Sequence, residues 1–231
     1  ASMGFGFGAP RVLAVGSGEW FMPDESEKHQ CAFVAFGAQD AIWEDFTADV
    51  QEAIGLIART IAQYEPVVVL CRESERDLSE EVCGSKNTAF VITELDDIWM
   101  RDIGANFVIT EQGDLGAVDF NFSGWGNKQQ HKYDARVAKL VANNAEAKYL
   151  RSELVGEGGG IEVDGHGTGI MTESCWINAN RNPGWSKADV EQELKARLGL
   201  RKIIWLPGIK GKDITDAHVD FYARFVSPGV I

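Results

Sequence analysis

The feature that most constrains the fold of this sequence is a layout of short strands and single helices that recurs about every 60 residues. Short apolar runs predict the strands, and apolar residues at helical spacing predict the helices between them. The predicted strands are 32–37, 67–70, 89–93, 106–110, 116–122, 160–163, 167–172 and 202–206, and the predicted helices are 46–64, 74–82, 134–148 and 186–198. This mixed α/β pattern is compatible with a propeller-like assembly of repeated units and with a doubly wound sheet.

Local signals place several boundaries. The turns at 111–114 and 164–167 each predict a hairpin, and Ser186 with Asp189 forms a capping box before a helix that Gly199 ends. The glycine-rich segment 156–160 is followed by strand-like residues, so it does not open a helix as a dinucleotide-binding turn would. The sequence therefore argues against a Rossmann fold.

The composition bounds the size and the partners of the protein. The chain has 231 residues, of which 45% are apolar, enough for one large domain or two small ones. With 35 acidic and 22 basic residues its net charge is −13, which disfavours nucleic acid and anionic membranes as partners and suits a small cationic substrate. We expect residues 1–22 to be an N-terminal extension, partly of expression-vector origin.

No apolar run approaches the ~18 residues that a membrane-spanning helix needs, so we expect a soluble chain. A cytoplasmic location is favoured, and export with a removed signal stays open. Four widely spaced cysteines, Cys31, Cys71, Cys83 and Cys175, are expected to be buried thiols, with a Cys71–Cys83 disulfide as the alternative.

Three polar clusters fall in predicted loops or at strand starts, where functional side chains are commonly held. The first is the charged segment 96–104, which a salt bridge that pins the loop would also explain. The second is Glu157, a lone acid among four glycines, which would otherwise be a flexible surface turn. The third is His218 and Asp220 in a predicted strand at 213–226, where a period of two puts both side chains on one face; a strand facing solvent would also explain them.

These clusters together supply three carboxylates and an imidazole: Asp96, Glu157, Asp220 and His218. Convergent carboxylates match a guanidinium, whose fork of N–H donors pairs with them, and Trp99 or Trp125 would supply an aromatic wall. A divalent metal is the alternative ligand, but no His-Glu-x-x-His or similar pattern is present, so no metal site is predicted.

Four long motifs occur in an order that resembles a known family. They are Trp99–Gly104, Glu157–Thr168, Thr172–Pro183 and the stretch from Ile204 to Asp220. They closely resemble the agmatine deiminase family, also called bacterial-type peptidylarginine deiminases. The resemblance implies a pentein-type fold, a five-bladed α/β propeller. Residues 23–231 would form the N-terminal part of this single domain and cover roughly its first three blades.

The resemblance also implies a reaction. The expected function is hydrolysis of agmatine to N-carbamoylputrescine and ammonia through a covalent cysteine adduct, without cofactor, which belongs to polyamine and putrescine synthesis. By the same resemblance Asp96 and Asp220 would bind the guanidinium, and Glu157 and His218 would be the acid–base pair. Deimination of peptidyl-arginine or of free arginine is the alternative within the family.

One part of the family pattern is absent from these 231 residues. The family's nucleophile is a cysteine near the C-terminus, after a Gly-Gly pair and next to a histidine, and none of the four cysteines stands in that context; Cys175 is expected to be a strand residue. We therefore expect a fragment that is inactive alone, with a noncatalytic guanidinium-binding remnant as the alternative. A homodimer and an association with the missing C-terminal part are both left open.

Overall fold

Three three-stranded sheets follow one another along the chain in a computed structural model, which describes residues 20–231. The strands are β1 Ala32–Phe36, β2 Val67–Cys71, β3 Thr88–Ile92, β4 Asn106–Ile109, β5 Leu115–Asp119, β6 Lys148–Arg151, β7 Glu162–Val163, β8 Thr168–Thr172 and β9 Lys202–Leu206. The helices are α1 Asp40–Trp43, α2 Thr47–Ile61, α3 Arg76–Cys83, α4 Met100–Ile103, α5 Gly124–Asn127, α6 Val137–Asn144, α7 Glu173–Trp176 and α8 Lys187–Leu198. The protein therefore has the α/β composition that the sequence predicts.

The first sheet has the order β1-β2-β3 and is parallel throughout. Its central strand, Val67–Cys71, is almost entirely buried, which explains its unbroken apolar sequence. The helices α2 and α3 connect the three strands and pack on each other. The two helices approach closely where Gly55 of α2 faces Val82 of α3. A side chain at position 55 would overlap the Val82 backbone, so this contact requires glycine.

The second and third sheets share one topology, an antiparallel hairpin followed by a parallel strand. Both hairpins are at the predicted positions, as β4–β5 and β7–β8. Helix α6 leads to β6, and helix α8 leads to β9. One apolar cluster spans both sheets, since it includes Val118 of β5 and Met171 of β8.

A second apolar cluster joins the first sheet to the second. It contains Ala35 and Leu70 from the first sheet, together with Phe122 and Val137 from the segment that connects β5 to β6. Neighbouring sheets therefore share their cores, and the loops between them start from packed positions.

The predicted strand at 213–226 is wrong, because this segment is irregular with one 3-10 turn at Val219–Phe221. The Asp213 carboxylate accepts hydrogen bonds from the backbone N–H groups of Thr215 and Ala217. Asp216 and Ala217 have φ of 62° and 71°, which an extended strand does not allow. Local bonds from side chain to backbone thus replace the strand ladder.

Two other sequence predictions also differ from the structure. The helix expected at 134–148 stops at Asn144, because Glu146 adopts a φ of 52° and the chain then enters β6. Cys175 lies in the short helix α7 and not in a strand, because β8 ends at Thr172.

All four cysteines are free, and Cys71, Cys83 and Cys175 are buried, whereas Cys31 is half-buried. No Cys71–Cys83 disulfide is formed. The predicted N-terminal extension falls mainly on residues 1–19, which lie outside the described part, while Trp20 and Met22 pack on the core of the second and third sheets. Within residues 20–231, no helix is long and apolar enough to cross a membrane.

The capping box at the start of α8 provides a test of the fold. The Ser186 hydroxyl accepts the N–H of Asp189, and the Asp189 carboxylate accepts the N–H of Ser186. We expect Ser186→Ala to lower the free energy of unfolding by about 1 kcal/mol, because the backbone N–H of Asp189 loses the hydroxyl that accepts its hydrogen bond. Urea denaturation measures this change. Ser85→Ala, at an exposed position, is the control, and an equal loss in both variants would contradict the capping role.

Candidate functional site

Glu157 is fully buried at the entrance of a 3-10 turn formed by Gly158–Gly160. Its carboxylate accepts hydrogen bonds from Arg181 Nε at 2.9 Å on Oε1 and 3.0 Å on Oε2, and Oε2 also lies 3.0 Å from His218 Nε2. The indole of Trp176 donates to the Gly160 carbonyl at 2.8 Å and anchors the turn. The lone acid among glycines is therefore a buried ion-pair partner and not a surface turn.

His218 lies between two carboxylates and is 1% exposed. Its Nε2 faces Glu157, and its Nδ1 lies 3.6 Å from Oδ1 of Asp102. The backbone N–H of His218 donates to the Thr215 hydroxyl at 3.0 Å, which holds the loop that presents the imidazole. Both ring nitrogens thus face acceptors, an arrangement that favours the protonated ring.

Gly159 marks the point where the polar side chains converge. A Cβ atom built at this position would lie 2.5 Å from His218 Nδ1, 2.8 Å from Asp102 Oδ1 and 2.8 Å from Asp220 Oδ2. The Gly159 N–H also donates to Asp102 Oδ1 at 3.0 Å. Only glycine leaves room for the three side chains there. The predicted convergence of His218 and Asp220 thus occurs, although through an irregular loop and not through a strand.

The acidic groups of the site differ in the direction in which their pKa values are shifted. Burial alone would raise the pKa of Glu157, but the hydrogen bond with His218 and the charge of Arg181 outweigh it and lower that pKa. Burial alone would lower the pKa of His218, but hydrogen bonds with Cys175 and Glu157 outweigh it and raise that pKa to about 11. The pair is thus an imidazolium and a carboxylate at neutral pH.

Asp102 and Asp220 behave differently from Glu157. Loss of hydration is the largest influence on both, and it raises the pKa of each carboxyl despite the nearby charge of His218. Asp220 is exposed, whereas Asp102 is buried. Within residues 20–231, neither acid forms an ion pair with an arginine, as Glu157 does with Arg181.

Asp96 belongs to a second cluster. Its Oδ2 accepts the N–H groups of Tyr133 at 2.6 Å and of Asp134 at 3.1 Å. In return, the Asp134 carboxylate accepts the N–H groups of Asp96 at 2.8 Å and of Asp97 at 3.1 Å. Burial raises the pKa of Asp134 to about 7. In the described part of the chain, Asp96 forms no hydrogen bond with Glu157, His218 or Asp220.

Two tryptophans link the clusters. The Trp99 indole donates to Asp97 at 2.9 Å, and the Trp125 indole donates to Asp102 at 2.9 Å. Their rings meet edge to face with centroids 6.4 Å apart. Trp125 is 2% exposed and Trp99 is 43% exposed, so only Trp99 presents an open aromatic face of the two side chains predicted to line the site.

Sequence reasoning missed three members of the site: Asp102, Cys175 and Arg181. All three fall inside the motifs or the charged segment that were singled out, but nothing in the order of residues indicates which charges are buried. Cys175 Sγ lies 3.8 Å from Glu157 Oε2, and burial raises the pKa of its thiol. A neutral, buried thiol beside a carboxylate is unsuited to nucleophilic attack.

The described residues include one group whose ligand atoms could surround a metal ion, namely Glu157, Cys175 and His218, with these atoms within 4.8 Å of one another. Both Glu157 oxygens already accept hydrogen bonds from the buried Arg181 guanidinium. A second cation beside Arg181 would be strongly repelled. The arrangement is therefore better suited to holding protons than to binding a metal.

The chain is similar to proteins of a known deiminase family. The model of the Porphyromonas-type peptidyl-arginine deiminase family matches residues 21–231. A putative agmatine deiminase of Streptomyces coelicolor is 39% identical over 218 residues, which are 91% of this chain and 64% of the relative. An agmatine deiminase of Pseudomonas aeruginosa is 36% identical over 216 residues, which are 91% of this chain and 59% of that relative.

Among solved structures, an agmatine deiminase of Enterococcus faecalis superposes with a TM-score of 0.87 at 29% identity. The superposition covers 96% of this chain and 62% of that chain. The chain thus spans less than two thirds of the length of these relatives.

The ion pair between Glu157 and His218 can be tested by titration. We expect Glu157→Gln to lower the pKa of His218 from about 11 toward its ordinary 6.5, because the imidazolium loses its nearest anion. NMR titration of the labelled imidazole measures this shift. Glu173→Gln, which removes an exposed carboxylate bonded to Lys187, should leave the His218 titration unchanged.

The same pair should shape the pH dependence of stability. The lowered pKa of Glu157 contributes stability above about 4.5 that is lost as the pH falls, and the raised pKa of His218 contributes stability below 6.5 that is lost as the pH rises toward about 11. Glu157→Gln should therefore remove about 3 kcal/mol near pH 6 and flatten both slopes. An unchanged pH profile of urea denaturation would contradict the pairing.

Proposed function

This chain belongs to the Porphyromonas-type peptidyl-arginine deiminase family, and on that premise we propose that it supplies the binding and proton-transfer groups of a guanidino-group hydrolase. The proposed reaction converts agmatine to N-carbamoylputrescine and ammonia. The observation that supports it most is the convergence of His218, Asp102 and Asp220 on Gly159, beside the buried Glu157. Its three sheets are proposed to be the first three blades of a five-bladed propeller.

Asp220 and Asp96 are proposed to bind the guanidinium. Asp220 is exposed, and partial loss of hydration raises its pKa, so an arriving cation would gain a carboxylate that forms no ion pair within residues 20–231. Within residues 20–231, the Asp96 carboxylate accepts backbone N–H groups through Oδ2, which fixes the direction of the carboxyl group. The half-exposed face of Trp99 would pack against the flat cation or the methylene chain behind it.

His218 is proposed to move the protons. A cysteine thiolate attacks the guanidinium carbon, a C–S bond forms, and the C–N bond breaks as His218 gives its proton to the departing ammonia. Water then attacks the S-alkylthiouronium carbon, neutral His218 takes a proton from that water, and the C–S bond breaks to release the ureido product. Glu157 orients the imidazole through Nε2 and favours its protonated form.

The nucleophilic thiol is proposed to come from outside these 231 residues. The curated relatives are longer, since the chain spans 64% of the length of one and 59% of another. Cys175 is an unsuitable substitute because burial raises the pKa of its thiol. The net charge of −13 favours the dicationic agmatine over free arginine, whose carboxylate cancels one positive charge.

The proton-transfer role leads to a first kinetic test. In the protein at its full natural length, His218→Ala should lower kcat by at least about 10²-fold, because the leaving ammonia loses its proton donor. Release of ammonia and of the ureido product from agmatine measures the effect. His29→Ala, which removes an exposed histidine paired with Glu65, should retain activity. No release from agmatine, free arginine or a peptidyl-arginine by the unmodified protein would refute the proposed function.

Asp96 leads to a second kinetic test. We expect Asp96→Asn to raise KM for agmatine by roughly 10- to 100-fold, which corresponds to the loss of one charge-assisted hydrogen bond. Steady-state kinetics measures KM, and calorimetric titration of agmatine measures binding independently. Asp114→Asn in the β4–β5 turn is the matched control. An unchanged KM in Asp96→Asn would remove Asp96 from the substrate site.

A further inference from the structure

The side chain of Arg181 is completely buried, and each of its three guanidinium nitrogens donates a hydrogen bond. Nε bonds to both oxygens of Glu157, and Nη1 bonds to Asp216 Oδ2 at 2.9 Å. Nη1 also reaches Asn180 Oδ1 at 3.2 Å, and Nη2 donates to the Thr215 carbonyl at 2.9 Å. One guanidinium thus contacts both the buried acid and the loop that presents His218.

We propose that Arg181 is a positioning residue that locks Glu157 to the His218 loop and keeps the proton of this pair on His218; this rests on the proposed acid–base role of the pair. The loop contacts are at Thr215 and Asp216, three and two residues before His218. The Thr215 hydroxyl also accepts the His218 backbone N–H. Loss of the guanidinium would therefore release the histidine and its partner together.

The charges around the pair favour this location of the proton. Arg181 and Lys128 are the facing cations, and Lys128 Nζ lies 2.7 Å from Asp216 Oδ2. The facing carboxyl groups are those of Glu157 and Asp216. Asp102 also lies 3.6 Å from His218 Nδ1, and Asp220 approaches that nitrogen beside Gly159. Protonation of Glu157 would weaken its charge-assisted contact with Arg181, which uses both carboxylate oxygens. Protonation of His218 instead creates a charge-assisted contact with Glu157.

This location of the proton matters for the chemistry. A general acid must hold its proton until the leaving group departs, and a neutral pair with the proton on Glu157 would leave His218 as a base. In a buried site, neutral pairs are favoured over ionised ones unless a further charge stabilises the ions. Arg181 supplies that charge without touching the proposed substrate carboxylates.

The test compares three variants: Arg181→Met, Arg181→Lys and the control Arg197→Met. Arg197 forms a partly exposed ion pair with Glu193 within α8, so its variant removes an Arg–Glu contact that includes neither Glu157 nor His218. The carboxyl signal of Glu157 and the imidazole signals of His218 are followed by NMR across pH. Assignments come from Glu157→Gln and His218→Gln.

The expected result is specific to Arg181. In the unmodified chain and in Arg197→Met, Glu157 titrates below 4.5 and His218 is an imidazolium at neutral pH. In Arg181→Met, Glu157 titrates above 4.5 and the His218 signals move toward those of a neutral ring. In Arg181→Lys, which keeps the charge but offers one point of contact, the Glu157 midpoint moves upward by less.

Two outcomes would overturn the proposal. The first is an unchanged titration midpoint of Glu157 in Arg181→Met. The second is an unchanged Glu157 midpoint in Arg181→Lys, which decides the question if near-UV circular dichroism shows that Arg181→Met is unfolded. Neither measurement needs turnover, so a failure of the proposed reaction leaves this test intact.

Kinetics of the full-length protein adds a second readout. Arg181→Lys should lower kcat by about tenfold or more with KM within twofold of the unmodified value, because Arg181 acts on the general acid and not on the substrate. The acidic limb of the kcat profile should move to higher pH. A raised KM with unchanged kcat would instead indicate a role in substrate binding and would contradict the proposal.

Discussion

The candidate site depends on one buried ion pair, that between Arg181 and Glu157. Removing two charges from water is costly, and the cost is offset only when the remaining donors and acceptors are also satisfied. Arg181 meets this condition through Asn180, Thr215 and Asp216 in addition to Glu157. The pair thereby brings together a glycine turn and an irregular loop.

The scaffold that delivers these segments is a row of sheets with shared cores. The cluster with Leu70 and Phe122 joins the first sheet to the second, and the cluster with Val118 and Met171 joins the second to the third. Polar segments that connect the elements of such a scaffold can hold strained or charged groups because packing elsewhere fixes their ends. Trp125, with a φ of 56° and an indole bonded to Asp102, is one such strained residue.

The surroundings of the acidic groups in the site shift their pKa values in opposite directions. Arg181 and His218 lower the pKa of Glu157 despite its burial, whereas loss of hydration raises the pKa of Asp102 and Asp220. Acids with such divergent environments are suited to different roles in one reaction. Glu157 already has its cationic partners, while Asp220 would gain one from a bound guanidinium.

The sequence by itself determined the α/β class, both hairpins and the capped last helix, because local periodicity and turn chemistry act over a few residues. Its motifs also singled out His218, Glu157 and Asp220, which lie around one glycine turn. The tertiary structure alone decided which charges are buried. The partners of Glu157 lie 24 and 61 residues away, and no local pattern encodes such distances. For the same reason the apolar alternation at 213–226 predicts a strand where the structure has an irregular loop: long-range bonds to Arg181 and local bonds to Asp213 set its path.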